Sequence, residues 1–206
     1  MLLHSLSLGP IGTNCYLVGD PGTKKAVVID PGGDADKVLA AANAMGVELQ
    51  AIWLTHAHFD HIGGVAGLVR SLNVPVALHP FDLPLYHDLG GAKGWGIPLE
   101  PGPEPTILLD KVDSLAVGNL RFEVRFVPGH TRGHVAFYQK EAGVIFGGDV
   151  LFQNSIGRTD LPGGDFDTLI NSIRTHFLSL PDSTIVYSGH GPETTIGAEG
   201  QFNPFL

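Results

Sequence analysis

Cysteine is almost missing from this chain. Cys15 is the only one in 206 residues, so no disulfide can form within it and no thiolate set exists for a structural zinc site. The neighbourhood Cys15-Tyr16-Leu17-Val18 is apolar and marks a small buried hydrophobe rather than a nucleophile. Basic residues are scarce: 12 Lys and Arg face 21 Asp and Glu, for a formal net charge of −9. Without a basic run there is no footprint for nucleic acid or an anionic membrane. No apolar stretch reaches the ~18 residues of a membrane-spanning helix. The start, Met1-Leu2-Leu3-His4-Ser5-Leu6, lacks the basic and long apolar regions of an export signal and reads as a first strand. These absences lead to the expectation of a cytoplasmic protein, monomer or homodimer, acting on a small molecule. Charged residues make up 16% and hydrophobic ones 43%, a globular balance, and no repeat or boundary divides 1–206 into more than one domain.

Histidine, by contrast, is plentiful, and four metal-competent groups crowd into six positions: His56-Ala57-His58-Phe59-Asp60-His61. The apolar run Ala51–Thr55 before them reads as a buried strand, and Ile62 onward reads as a helix. The cluster therefore falls on a strand-to-helix turn. If the segment stays extended, alternation puts His56, His58 and Asp60 on one side. Imidazole and carboxylate donors suit zinc, iron or manganese. Neighbouring Asp60 and His61 cannot close a tetrahedron around the same ion as His56 and His58, so two ions are expected, with further donors from elsewhere. Three places offer them. Strand-like runs end in Pro128-Gly129-His130, in Gly147-Gly148-Asp149 and in Ser188-Gly189-His190. A glycine turn at a strand end lets the backbone come close to a site.

These motifs resemble the metallo-β-lactamase superfamily, and Gly12-Thr13-Asn14-Cys15-Tyr16, Val28-Ile29-Asp30-Pro31-Gly32 and Gly189-His190-Gly191-Pro192-Glu193-Thr194 resemble its glyoxalase II group. The resemblance implies an α/β fold, a four-layer αββα sandwich. It implies that His56, His58 and His130 hold one divalent ion, that Asp60, His61 and His190 hold a second, and that Asp149 bridges them. Zinc is the first expectation for both ions, with iron or manganese as alternatives. The implied reaction is hydrolysis of a thioester such as S-D-lactoylglutathione by a hydroxide shared between two metals, with Asp60 as a catalytic residue that orients it. The C-terminal helical region through which full-length glyoxalase II enzymes contact glutathione is not expected in 1–206. Rival chemistries on the same fold are a mononuclear iron persulfide dioxygenase, using His56, His130 and Asp149, and a lactonase or other ester hydrolase.

The remaining pattern predicts strands at 2–8, 15–19, 25–30, 51–55, 75–79, 106–109, 120–127, 134–140, 143–147 and 184–187. Helices are expected to begin near Asp34, Ile62, Phe81 and Asp167, with Asp34 as a cap and Gly46 as a stop for the first. Residues 80–105 hold five Gly and six Pro, and read as a long loop that rims the metal site. Asp30 is a candidate to hydrogen-bond a ligand imidazole, and His134 to brace the His130 loop. Arg158 and Arg132 are candidates to bind a substrate anion, with pairing of Arg158 to Asp160 or Asp165 as the alternative.

Overall fold

The computed structural model covers residues 1–206. Its strands fall into two six-stranded sheets and a small ribbon. The first sheet contains β1 (Leu2–Leu8), β2 (Thr13–Gly19), β3 (Lys25–Ile29), β4 (Glu48–Trp53), β5 (Val76–Leu78) and β6 (Ile107–Leu108), in that spatial order. β1, β2 and β3 are antiparallel, whereas β3 to β6 run parallel. The second sheet is ordered β14 (Thr194–Thr195), β13 (Ile185–Ser188), β10 (Val144–Gly148), β9 (Val135–Gln139), β8 (Leu120–Phe126), β7 (Ser114–Val117). The ribbon pairs β11 (Leu151–Phe152) with β12 (Ser155–Ile156).

Period-two alternation sorts the strand side chains into three apolar layers. Tyr16, Val18, Val27, Ile29, Ala51 and Trp53 face Phe122, Val135, Phe137, Val144 and Phe146 between the sheets. Trp53 packs edge-on to Phe122 with centroids 5.2 Å apart and lies 5.3 Å from Phe137. The alternate residues Cys15, Leu17, Val28 and Ile52 face outward and are covered by Val38 and Ala42 of α1 (Ala35–Met45) and Val65 and Leu68 of α3 (Val65–Leu72). On the far side Ala136, Ile145 and Val186 are covered by Leu169, Ile173 and Phe177, from α5 (Phe166–Ser172) and the π-turn Ile173–Phe177 that prolongs it. The result is the αββα sandwich expected from the sequence.

Strand polarity decides where the chemistry sits. β3, β4 and β5 are parallel, so the residues after them (Asp30, His56, His79) leave one edge of the first sheet. In the second sheet β10 is parallel to β13, and β9 is antiparallel to both β10 and β8. β8, β10 and β13 therefore point the same way, and His130, Asp149 and His190 leave one edge of that sheet. Loops at the ends of a rigid scaffold are where binding groups gather.

Several expectations need correction. Asp34 stands at the start of α1 but does not cap it: its φ is +46, and its carboxylate accepts from the Gly9 amide and pairs with Lys37. Gly46 does end α1, in the left-handed conformation with φ +64. Residues 80–105 are not a bare loop, since they form the 3-10 turn Pro80–Asp82, α4 (Leu83–His87) and short 3-10 turns within Leu89–Trp95, broken by a kink at Gly90 and Gly91. The short strands β7, β11, β12 and β14 and the helix α6 (Ile196–Phe202) were not expected. Helix α2 (Phe59–Ile62) begins before Ile62, so the extended alternation fails at Asp60.

Candidate metal centre

That early helix start is what divides the first cluster. His58 is still extended, at φ −66 and ψ 149, whereas Asp60 and His61 lie within α2. The turn sends the two pairs to different partners. His56, His58 and His130 present donor atoms within 4.8 Å of one another, and so do Asp60, His61 and His190. Asp149 stands between the triads: one carboxylate oxygen lies 3.6 Å from both His130 Nε2 and His190 Nε2, and the other 3.4 Å from His61 Nε2. All seven predicted donors converge at the joined edges of the two sheets. Gly189 is required there, because a Cβ would collide with Asp149 Oδ1.

Partners behind the imidazoles fix their tautomers. Asp30 Oδ2 lies 3.0 Å from His61 Nδ1, as the sequence suggested, and also accepts the Thr55 hydroxyl at 2.6 Å. With its proton given to Asp30, the Thr55 oxygen accepts from His56 Nδ1 at 3.0 Å. The Arg158 carbonyl accepts from His130 Nδ1 at 2.7 Å. Each of these three rings therefore carries its proton outward and turns the Nε2 lone pair inward. His56 Nε2, His61 Nε2 and Asp149 Oδ1 are buried without a hydrogen-bond partner. His58 Nδ1 and His130 Nε2 meet at 2.9 Å. Buried lone pairs gathered in two three-donor groups, with no thiolate among them, fit divalent cations.

The charge balance agrees. Burial, then the neighbouring His61, His134 and His130, hold His56 well below the usual histidine range. Burial and His130 lower His58 to about 3. His61 goes the other way: burial opposes its charge, but Asp60, Asp149 and Asp30 outweigh burial and lift it well above the usual value. Burial would raise Asp60, yet His61, His190 and the Thr13 hydroxyl bring it to about 2. The centre thus holds carboxylates that demand positive charge beside His61, while His56 and His58 stay neutral, the state in which an imidazole binds metal.

Sequence reasoning missed two supports. Asp82, buried just after β5, accepts from the Ala57 amide at 3.1 Å, the Thr131 hydroxyl at 2.8 Å and the Gly133 amide at 2.6 Å. It ties the loop of His56 and His58 to the loop of His130. The second is the stretch Thr13-Asn14-Cys15-Tyr16. Thr13 donates to Asp60 at 2.8 Å, Asn14 Nδ2 donates to the carbonyls of Ser188 and Gly191, and Tyr16 donates to that of Ser188 at 2.7 Å. This stretch holds the His190 loop through partners far along the chain. His134 is a brace rather than a donor: its Nε2 accepts the Asp149 amide at 3.1 Å and its ring stacks on His56 at 4.6 Å.

The two arginines part company. Arg158 lines the cleft beside the centre, but its guanidinium is held by Asp160 through two bonds of 2.8 Å. Arg132 is not in that cleft; it lines a separate groove with Phe81 and Phe126. The cleft itself measures ≈ 800 Å³ and reaches His58, Asp60, His130, Asp149 and His190. No helix is long and apolar enough to cross a membrane.

The sequence profile of the metallo-beta-lactamase superfamily matches residues 8–190. A hydroxyacylglutathione hydrolase, GloC, of Haemophilus influenzae is 40% identical over 196 residues, covering 94% of this chain and 92% of that protein. Among solved structures, the BLEG-1 B3 metallo-beta-lactamase is 44% identical with a TM-score of 0.92, covering 100% of this chain and 99% of the other. TTHA1623 in a di-iron-bound form is 45% identical with a TM-score of 0.90, covering 98% of this chain and 100% of the other.

Proposed function

The chain belongs to the metallo-beta-lactamase superfamily, and on that premise we propose that it is a dinuclear metal-dependent hydrolase of thioesters, S-D-lactoylglutathione being the first substrate to test. The carrying observation is the pair of three-donor groups with Asp149 between them. In this reading His56, His58 and His130 would hold one ion, Asp60, His61 and His190 would hold the other, and Asp149 would serve both. Similarity to a hydroxyacylglutathione hydrolase and to a di-iron protein supports both the reaction and the metal count. Zinc, iron and manganese all suit these donors.

A divalent pair supplies a water acidified to a pKa of about 7 and a Lewis acid for the acyl oxygen. The protein's part is positioning. Asp30, Thr55 and the Arg158 carbonyl keep three imidazoles aimed inward. Asp60, steadied by Thr13, lies 3.1 Å from His190 Nε2, where it would accept a hydrogen bond from the attacking water and orient it. The departing thiolate, with a pKa of ~8.5, leaves without a strong general acid.

The experiment is metal analysis joined to turnover assays. Two ions per chain with hydrolysis of S-D-lactoylglutathione is the expected result. Asp60→Asn should keep the fold, weaken the second ion and lose turnover about 100-fold or more; near-normal turnover would remove Asp60 from the mechanism. One iron per chain with oxygen uptake on glutathione persulfide would replace this reading with a dioxygenase. Faster turnover of a lactone or a cephalosporin would move the substrate class.

A further inference from the structure

The cleft beyond the donors is apolar, and its shape comes from a bent arm. Leu89, Gly90, Gly91 and Gly96 all have positive φ, between 56° and 77°. Gly90 lies against the backbone of Ala57 to Phe59, where any side chain would collide. The arm is therefore seated on the very loop that carries His58, and it ends at Trp95. Trp95 is 57% exposed and faces Phe59, with ring centroids 6.2 Å apart and planes inclined at 42°. Ile11, Leu85, Ile97 and Phe152 continue the wall. Such a large ring left half in water beside a reactive centre gains most when a ligand covers it.

Charge on the wall is sparse. Arg158 is the one Lys or Arg among the lining residues, and the Nε–Nη2 edge of its guanidinium is taken by Asp160. Asp88 adds a negative charge. A glutathione moiety brings two carboxylates and meets on the lining only Arg158, already paired along one edge with Asp160, while an uncharged ring or chain finds the rings of Trp95 and Phe59.

We propose that the cleft selects thioesters carrying an uncharged aromatic or aliphatic group over glutathione thioesters, with Trp95 as the specificity-determining platform. This rests on the hydrolase reading above and narrows its substrate class. The reaction is unchanged: the acyl–sulfur bond breaks, water supplies OH to the acyl carbon, and the thiol leaves with the proton.

The test compares S-benzyl thioacetate with S-acetylglutathione on the metal-loaded enzyme, because both release alkyl thiols and share one acyl group. The expected kcat/KM is at least about tenfold higher for the benzyl compound. Trp95→Ala should raise its KM about tenfold with kcat within about twofold, leave S-acetylglutathione unchanged, and keep its ions. Trp95→Phe should retain the preference. Equal or better turnover of S-acetylglutathione, or an equal loss on both substrates in Trp95→Ala, overturns the proposal. Quenching of tryptophan fluorescence that is present in the native protein and lost in Trp95→Ala, which retains only Trp53, separates it from the parent reading. If neither compound is cleaved but only the benzyl one quenches, the hydrolase reading falls and the selectivity stands. If neither quenches, the selectivity falls.

Discussion

Asp82 accepts a hydrogen bond from the Gly133 amide at 2.6 Å, and in doing so joins the two sheets across the metal centre. Ala57 and Thr131 donate to the same carboxylate. Asp82→Ala would strand three buried donors on two loops, and a loss of about 3 kcal/mol is expected from urea unfolding. Ion affinity should fall by about 10- to 100-fold in chelator competition, because the loops of His58 and His130 lose their common anchor. Unchanged affinity alongside lowered stability would make Asp82 a scaffold residue only.

Tyr16 reaches the centre at one remove. Its hydroxyl holds the Ser188 carbonyl, two residues before His190. Tyr16→Phe should cost about 1 kcal/mol. Asn14→Ala should cost more, since Asn14 Nδ2 serves two carbonyls of that loop. Thermal unfolding with and without added zinc would show whether the zinc-induced rise in Tm shrinks in both variants, as expected.

Trp53 lies at the middle of the layer between the sheets and is 2% exposed. Trp53→Ala leaves a void among Phe122, Phe137 and their neighbours, and a destabilisation of about 3–5 kcal/mol is expected in denaturant titration. A change below ~1 kcal/mol would mean that the sheets collapse onto the gap.

Asp20 provides a pH signature away from the metal centre. It accepts from the Asn119 amide at 2.9 Å and the Thr23 hydroxyl at 2.8 Å, and these donors lower its pKa from 3.8 to about 2. A depressed folded value gives stabilisation that is complete above the unfolded value of 3.8 and lost as pH falls through about 2. The Tm gap between the native protein and Asp20→Asn should therefore be steady above about pH 5 and close between about pH 4 and pH 2. A gap that persists at pH 2 would contradict the assignment.

Much of the centre was legible because each donor follows an apolar run and a turn, a local pattern. His56 through His61 announced themselves by density, and His130, Asp149 and His190 by their matched settings. The strands of the three apolar layers were legible because their apolar residues alternate or run together. Asp82 was not, since its significance lies in donors 25 and 51 residues away. The role of Asn14 was hidden for the same reason, its partners being 174 and 177 positions on. Strands as short as β11 and β14, two residues each, carry no periodicity to read. Asp34 misled because its residue type favours a cap, while a left-handed backbone turned its carboxylate towards Gly9 and Lys37.

Strand direction also defines a quiet end of the molecule. The turn of residues 140–143 enters β10, whose five residues span roughly 17 Å before Asp149 is reached. Gly143 has nothing within 4 Å of the place a side chain would take. A peptide tag or dye spliced into that turn would hang clear of the reactive rim, so the enzyme can be tethered or labelled there with its chemistry intact.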